Sequence, residues 1–336
     1  MTMTIKKQLI IALLLVGTIP FITMAITSYV KSSAALNIEA VSKMEMARDL
    51  KTNQLLTYFG MLKTSVENLS QDRNIRSLFA ELVKLQTTYE VDLNGNFNIT
   101  NKADVVAEYA KYDEYFKSYM KKNDLYDVFL ISGVSGQVLY TATKESDLGE
   151  NLKNGKLRDS GLAQAWSESV KDRDSYLTDM APYEPSNGSP AMFMAAPMME
   201  GNLVRGIVAV QINPKAINTI TQDHTGMGKS GETYLIGQDK LMRSDSFLDP
   251  TNHSLEASFK NPARGSVKTD AAASLSGQTD TKIIIDYNGN PVMSSYKPFI
   301  FLDLKWGMIA EIDASEVMAS VNELRNNTMI MDVVFL

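Results

Sequence analysis

The stretch of this sequence most suggestive of chemistry is DHTGMGKS, residues 223–230, which ends in the Gly-Lys-Ser of a phosphate-binding loop. Asp223 stands where that loop requires its first glycine, and the stretch follows a helical pattern and leads into a strand-like one. A phosphate loop needs the reverse order, so a turn between two modules is the better reading. GVSGQ, residues 133–137, is not a nucleophile elbow, because Gly136 comes one place early and a hairpin pattern surrounds it. Asp172 and Asp174 sit among opposite charges in KDRDS, the pattern of a solvated loop. The chain has no cysteine and two histidines, His224 and His253. Thiolate chemistry and three-histidine metal sites are thereby excluded, and a Ser-His-Asp triad would have to recruit one of those two. The expectation is a protein that is not an enzyme and carries no cofactor or metal.

What, then, do the elements position? At 336 residues the chain suits two modules plus extensions, and its net charge of −6 leaves no basic footprint for nucleic acid. Residues 8–30, QLIIALLLVGTIPFITMAITSYV, are uncharged and long enough to cross roughly 30 Å of hydrocarbon as a helix. A cleaved signal peptide is the alternative, but its apolar region would be about 7–15 residues with a small-residue cleavage site behind it. Lys6 and Lys7 precede the segment, so residues 1–7 are expected in the cytoplasm and the rest outside it. At the other end TMIMDVVFL, residues 328–336, turns apolar and reads as the start of a second span.

Residues 31–90 read as one long helix or two in series, with Leu55, Phe59, Leu62, Val66 and Leu69, then Ile75, Leu78, Leu82 and Leu85, at steps of three and four. Such a helix could pair with its copy in a homodimer. A shorter helix near 104–121 carries Tyr109, Tyr112, Tyr115, Phe116 and Tyr119, read as packing. The period then shifts to strands: 126–133, 136–143, 175–183, 189–199 and 202–212, with a helix within 155–170. After a helical connector the order repeats in outline, with strands at 232–238, 240–246, 281–288, 290–300 and 304–312. Asn288-Gly289 is the strongest hairpin signal. The fold class expected is α+β: a long N-terminal helix carrying two antiparallel-sheet modules, 91–213 and 214–313, with a returning helix at 314–327.

This arrangement resembles the extracytoplasmic double Cache sensor, with two PAS-like modules, of a bacterial methyl-accepting chemotaxis receptor. APYEPSNGSPAMFMAAPMMEGNLVRGIVAVQI looks like the last three strands of the membrane-distal module, and GKSGETYLIGQDKLMRSDS like the start of the proximal one. The resemblance implies a small-ligand pocket between sheet and helices of the distal module, and Met192, Phe193, Met194 and Met198 as core with one or two of them, Phe193 first, lining it. Relatives that bind amino acids carry an Arg-x-Trp-Tyr stretch, a Tyr-x-Asp and a later Asp. Here Arg158 matches the Arg, while Ser160 and Gly161 stand in the Trp-Tyr places. Tyr183 matches the Tyr, with Pro185 in place of its Asp, and Gln211 replaces the last Asp. With both ammonium partners gone, the resemblance implies a small anion or polar neutral ligand rather than an α-amino acid, held by Arg158, Ser160, Tyr183 and Gln211, with Tyr140 and Asp179 as further candidates. Arg158 could equally pair with Asp159 or Asp179.

The resemblance further implies location in the bacterial inner membrane with the sensor outside the cytoplasm, and a shift of the terminal helices as the signal. The proximal module reads as a spacer, although Arg243 and Asp245 could serve a second pocket. Sensor regions of histidine kinases and nucleotide cyclases share this build, and a membrane-tethered binding protein without signalling is the more distant alternative.

Overall fold

The computed structural model describes residues 4–319 together with 322, 323 and 326. The apolar segment 328–336 lies outside the described residues. Of the returning helix, residues 314–319 are helical, and little of the remainder is described.

Helix α1 (Ile5–Gln71) has 67 residues, about 100 Å at 1.5 Å per residue. Its N-terminal part is long and apolar enough to cross a membrane and buries none of its most apolar window. Asp72 ends α1 by turning into extended backbone, and its carboxylate accepts from Asn74 N and Ile75 N at 2.8 and 3.2 Å, capping α2 (Arg73–Thr88). The two-helix alternative is therefore the one realised. The apolar stripe works as spacing requires: Leu55, Phe59, Leu62, Val66, Leu69, Ile75, Leu78 and Leu82 are all buried. Helix α3 (Ala103–Asn123) buries Tyr109 and Phe116 fully while its other tyrosines pack at the edge.

The first module is a five-stranded antiparallel sheet built from β1 (Leu125–Ser132), β2 (Val138–Thr141), β3 (Tyr176–Leu177), β6 (Phe193–Glu200) and β7 (Leu203–Ile212), in the order β2-β1-β7-β6-β3. Two short strands, β4 (Ala181–Pro182) and β5 (Pro190–Ala191), pair beside it. Strand alternation divides its side chains between two cores. Val128, Leu130, Met194, Met198, Val208 and Val210 face α1–α3. Phe129, Ile131, Phe193, Ala195 and Ala209 face α4 (Gly161–Asp172), from which Leu162, Ala165 and Trp166 descend. The sheet lies so close to α2 that a Cβ on Gly206 would come within 2.5 Å of the Phe79 ring.

After α5 (Pro214–Thr221), the second module is a four-stranded sheet, order β8-β11-β10-β9: β8 (Glu232–Ile236), β9 (Asp280–Ile285), β10 (Pro291–Phe301) and β11 (Leu304–Asp313). Residues 240–246, expected as a strand, contribute one isolated bridge, Met242 to Ile236, because their polar groups serve loop contacts instead. The Asn288-Gly289 turn is present, with Gly289 at φ 88° and Asp286 accepting from Asn288 N and Asn290 N. Earlier residues of α1 hold this sheet: Met44 packs on Met293 and Ala310, and Arg48 donates to Ser295 Oγ at 3.0 Å. The second module thus lies nearer the apolar segment of α1 than the first.

Candidate ligand-binding site

On the α4 face of the first sheet, three residues stand side by side across β1, β7 and β6. Asp127 pairs with Gln211, and Gln211 with Phe193, so their side chains project to one side. Asp127 is fully buried, and its carboxylate takes five donors: Val128 N (2.6 Å), Ala142 N (2.9 Å), Thr143 N (3.1 Å), Thr141 Oγ1 (2.7 Å) and Thr143 Oγ1 (2.6 Å). Burial pushes its pKa up, and the threonine hydrogen bonds oppose that shift.

A second carboxylate, Asp147, is also fully buried. Its Oδ2 accepts the Tyr183 hydroxyl at 2.8 Å, and its Oδ1 has no hydrogen-bond partner in the protein. Burial raises its pKa to about 7, with the charges of Asp127 and Glu145 adding to the effect and the Tyr183 hydrogen bond working against it. The Tyr183 ring meets Phe193 edge-on at 4.9 Å, and Phe193 meets Phe129 at 6.0 Å. Gln211 Nε2 donates to Ser186 Oγ at 3.0 Å, which aims Oε1 elsewhere, and that buried oxygen too lacks a partner. Gln211 and Ser186 form one wall of a cavity of about 480 Å³ at the seam between the modules, whose far wall includes Asn218, Asp245 and Glu256. Among the described residues, neither Asp127 nor Asp147 has an ion-pair partner.

The first module thus buries two acceptors without a hydrogen-bond partner in the protein, Asp147 Oδ1 near the Tyr183–Phe193 ring pair and Gln211 Oε1 on a residue that walls the seam cavity. An unmade hydrogen bond at a buried acceptor costs about 1–3 kcal/mol, so a donor arriving there gains more than it would in water. Each such oxygen is complemented chemically by an N–H donor, and an ionised carboxylate best by a cationic one.

Of the residues expected to bind, the structure brings Tyr183, Phe193 and Gln211 together. Tyr140 is on the opposite face: it pairs with Leu130, stacks on Phe116 at 4.5 Å and donates to Asp113 Oδ1 at 2.7 Å. The expected cation is absent from the site. The Arg158 side chain is 64% exposed and lies 3.4 Å from Asp159, the more ordinary of its alternatives. Ser160 serves as the N-cap of α4, its Oγ accepting from Ala163 N at 3.2 Å. Asp179 is spent between the modules, where Oδ1 accepts Arg243 Nε at 2.7 Å and Trp306 Nε1 at 2.8 Å and Oδ2 accepts Arg243 Nη2 at 2.9 Å. Asp127 and Asp147 were not among the residues to which the sequence pointed. The one signal was Asp127 itself, a carboxylate inside the otherwise apolar run LYDVFLIS, followed at a distance by the threonine pair of TAT.

The Gly-Lys-Ser stretch holds an anion of the chain's own. Lys229 N and Ser230 N donate to Glu316 Oε1 and Oε2 at 2.8 and 2.9 Å, with Ser230 Oγ also on Oε2.

Comparison with known proteins gives a consistent picture. The Cache-domain family model matches residues 30–321. The sensory domain of the Campylobacter jejuni chemoreceptor Tlp3 superposes with a TM-score of 0.54 at 10% identity, covering 85% of this chain and 98% of that one. The ligand-binding domain of the Pseudomonas fluorescens chemoreceptor CtaA, in complex with L-isoleucine, gives 0.53 at 10% identity, covering 86% and 98%. The sensor domain of the Vibrio cholerae histidine kinase DctB gives 0.50 at 14% identity, covering 84% and 98%. At these identities the likeness shows the fold alone. No curated protein matches the chain in sequence.

Proposed function

Because the chain belongs to the Cache-domain family, we propose that it is the ligand-binding sensor region of a membrane chemoreceptor, with the first module binding a small amine-bearing solute. The observation that supports the ligand class is the buried, unpartnered carboxylate oxygen Asp147 Oδ1, which has no ion-pair partner among the described residues; a second unpartnered acceptor, Gln211 Oε1, belongs to a residue of the cavity wall. An anionic ligand loses its support once Arg158 is at the surface. An α-amino acid remains disfavoured, now for want of a carboxylate partner, since the ammonium has Asp147. Anchoring by α1 in the inner membrane, with the modules outside the cytoplasm, is supported by the exposed apolar segment behind Lys6 and Lys7. Homodimer formation through α1 is supported by apolar side chains left exposed beyond that segment, Ile38, Met46, Leu50 and Met61. A histidine-kinase output is the second reading, favoured by the likeness to DctB.

Thermal-shift titration of the full chain in detergent tests the ligand class, using matched sets of a primary amine, the corresponding amino acid and the corresponding carboxylate. Stabilisation by amines, abolished in Asp147→Asn, is expected. A cation needs Asp147 ionised, so affinity for a permanently charged ammonium rises with pH up to about 7, at about tenfold per unit well below it, and levels off above. Stabilisation by the carboxylate alone, or an affinity flat across that range, overturns the reading.

A further inference from the structure

The second module carries a polar cluster that ligand binding in the first does not use. On its outer face, Glu232 of β8 pairs directly with Glu311 of β11, and Glu311 with Ser294 of β10. Both glutamates are 2% exposed. Side chains at such paired positions lie about 5 Å apart at Cβ, too close for two charges to be borne cheaply in a dry interior. No cation relieves them: among the described residues neither glutamate has an ion-pair partner.

Their partners differ. Glu232 accepts from two backbone amides, Phe247 N at 3.0 Å and Leu248 N at 3.3 Å, and from the hydroxyls of Ser246 (2.8 Å) and Tyr287. Burial pushes the Glu232 pKa up, and these contacts oppose it, because backbone amides can only donate and so favour the ionised form. Glu311 is held by hydroxyls alone, Ser294 Oγ at 2.7 Å and Tyr234 OH at 2.9 Å. A hydroxyl can donate or accept, so these two serve a carboxylate and a carboxylic acid alike. The remaining groups around the pair add no positive charge in contact. Asp286 is turned to the amides of its own loop, and His253 stacks on Tyr287 at 4.1 Å with its Nδ1 2.9 Å from Asp249.

The position is also the root of the returning helix. Glu232 follows Ser230 by two residues, and Ser230 Oγ accepts from Asp313 N at 3.1 Å while its amide holds Glu316. Glu311 precedes Asp313 by two. Repulsion between the glutamates would therefore act where β8, β11 and that helix are tied together. We propose that Glu232 and Glu311 hold one proton between them, and that its release to solvent loosens β8 from β11 at the root of the helix, making the second module a pH-responsive joint. The expectation of a spacer is thereby replaced. Burial, with the Glu232 charge added, raises Glu311 to about 8. A pKa raised above its unfolded value of 4.5 contributes stability that is complete below that value and is lost as pH rises through about 8. The joint therefore tightens in acid and loosens in base, whatever the first module binds.

Infrared difference spectroscopy of the full chain in nanodiscs, titrated from about pH 6 to about pH 9, reads the proton directly. A protonated-carboxyl band present in wild type and missing from Glu311→Gln is expected to vanish with a midpoint near 8. Subtracting the variant removes the contribution of Asp147. In Glu232→Gln, which lacks the neighbouring charge, the midpoint is expected to fall by about one unit or more. Amide exchange in β8, corrected for its intrinsic pH dependence, is expected to rise about tenfold over the same range in wild type and to stay level in Glu311→Gln. A glutamate with a merely structural role would alter stability on substitution but leave these profiles in place. A band unchanged by Glu311→Gln, a midpoint unmoved by Glu232→Gln, or level exchange in wild-type β8 overturns the proposal.

Discussion

Replacing Asp179 by asparagine tests how the two modules are joined. The carboxylate sits at the seam with three hydrogen bonds, two from Arg243 and one from the Trp306 indole. Arg243 is 2% exposed, so its charge depends on neighbours rather than on water. Removing one partner of a buried ion pair costs about 3–5 kcal/mol. Two features reduce that figure here. The Asp179 side chain is 38% exposed, and Arg243 keeps Asp239, at 3.0 Å from Nη1 and 3.1 Å from Nη2. Asparagine also retains an oxygen for Trp306 but turns an N–H towards Arg243. A loss of about 2 kcal/mol follows, or a fall in Tm of roughly 5 °C. Calorimetry of the full chain measures it, with Asp159→Asn, which removes only a surface pair, as the control expected within about 0.5 kcal/mol of wild type. A double-mutant cycle with Arg243→Met should return a coupling of about 1–2 kcal/mol. If Asp179→Asn and Asp159→Asn prove equally harmless, or the cycle gives no coupling, the seam is not held by this latch.

Two further substitutions probe the first module. Gly206→Ala places a Cβ against the Phe79 ring, 2.5 Å from its nearest atom, and should cost about 1–3 kcal/mol in denaturant unfolding as α2 is pushed off the sheet. Arg158→Ala removes an exposed side chain with one weak pairing, so stability should change by no more than about 0.5 kcal/mol and the ligand response should stay as in wild type.

Periodicity made the scaffold legible because it reports which face of an element is apolar. The α1 stripe from Leu55 to Leu69 and the hairpin at Asn288-Gly289 are local patterns, and the structure keeps them. Of the residues expected to bind, the three that the structure brings together, Tyr183, Phe193 and Gln211, lie on strands or directly after one. Tyr140 takes the face that packs on Phe116 of α3, and the face a strand residue takes depends on register. The pairing of β1 with β2 shifts between Leu130 and Ile131, a break no local pattern announces. Asp147 stands in SDLGEN, which reads as solvated loop, and only the Tyr183 hydroxyl, brought from 36 residues away, shows it to be interior. Asp179 is drawn into the seam by Arg243 and Trp306, 64 and 127 residues away, which no local pattern reveals, whereas Arg158 stays at the surface beside its neighbour Asp159.

The same long-range contacts define how occupancy of the first module could be felt by the second. A ligand shifts a conformational equilibrium only through differential affinity for its states, so the site must border something that moves. Gln211 meets that condition: one side of its amide is held by Ser186, the other is unpartnered, and the cavity it walls is completed by Asn218 and Asp245 from the second half of the chain. Asp245 in turn accepts from Asn218 Nδ2 at 2.7 Å and from Leu255 N at 2.7 Å, so that wall is anchored in the second module. The latch at Asp179 grips Trp306, on the strand that also carries Glu311 and runs to Asp313. Strand β11 is paired on both sides, with β8 and with β10, and a strand so braced transmits displacement along its length more readily than it absorbs it. A solute that engaged Gln211 in this cavity would therefore bear on the seam, on β11 and on the Glu316 clamp in that order.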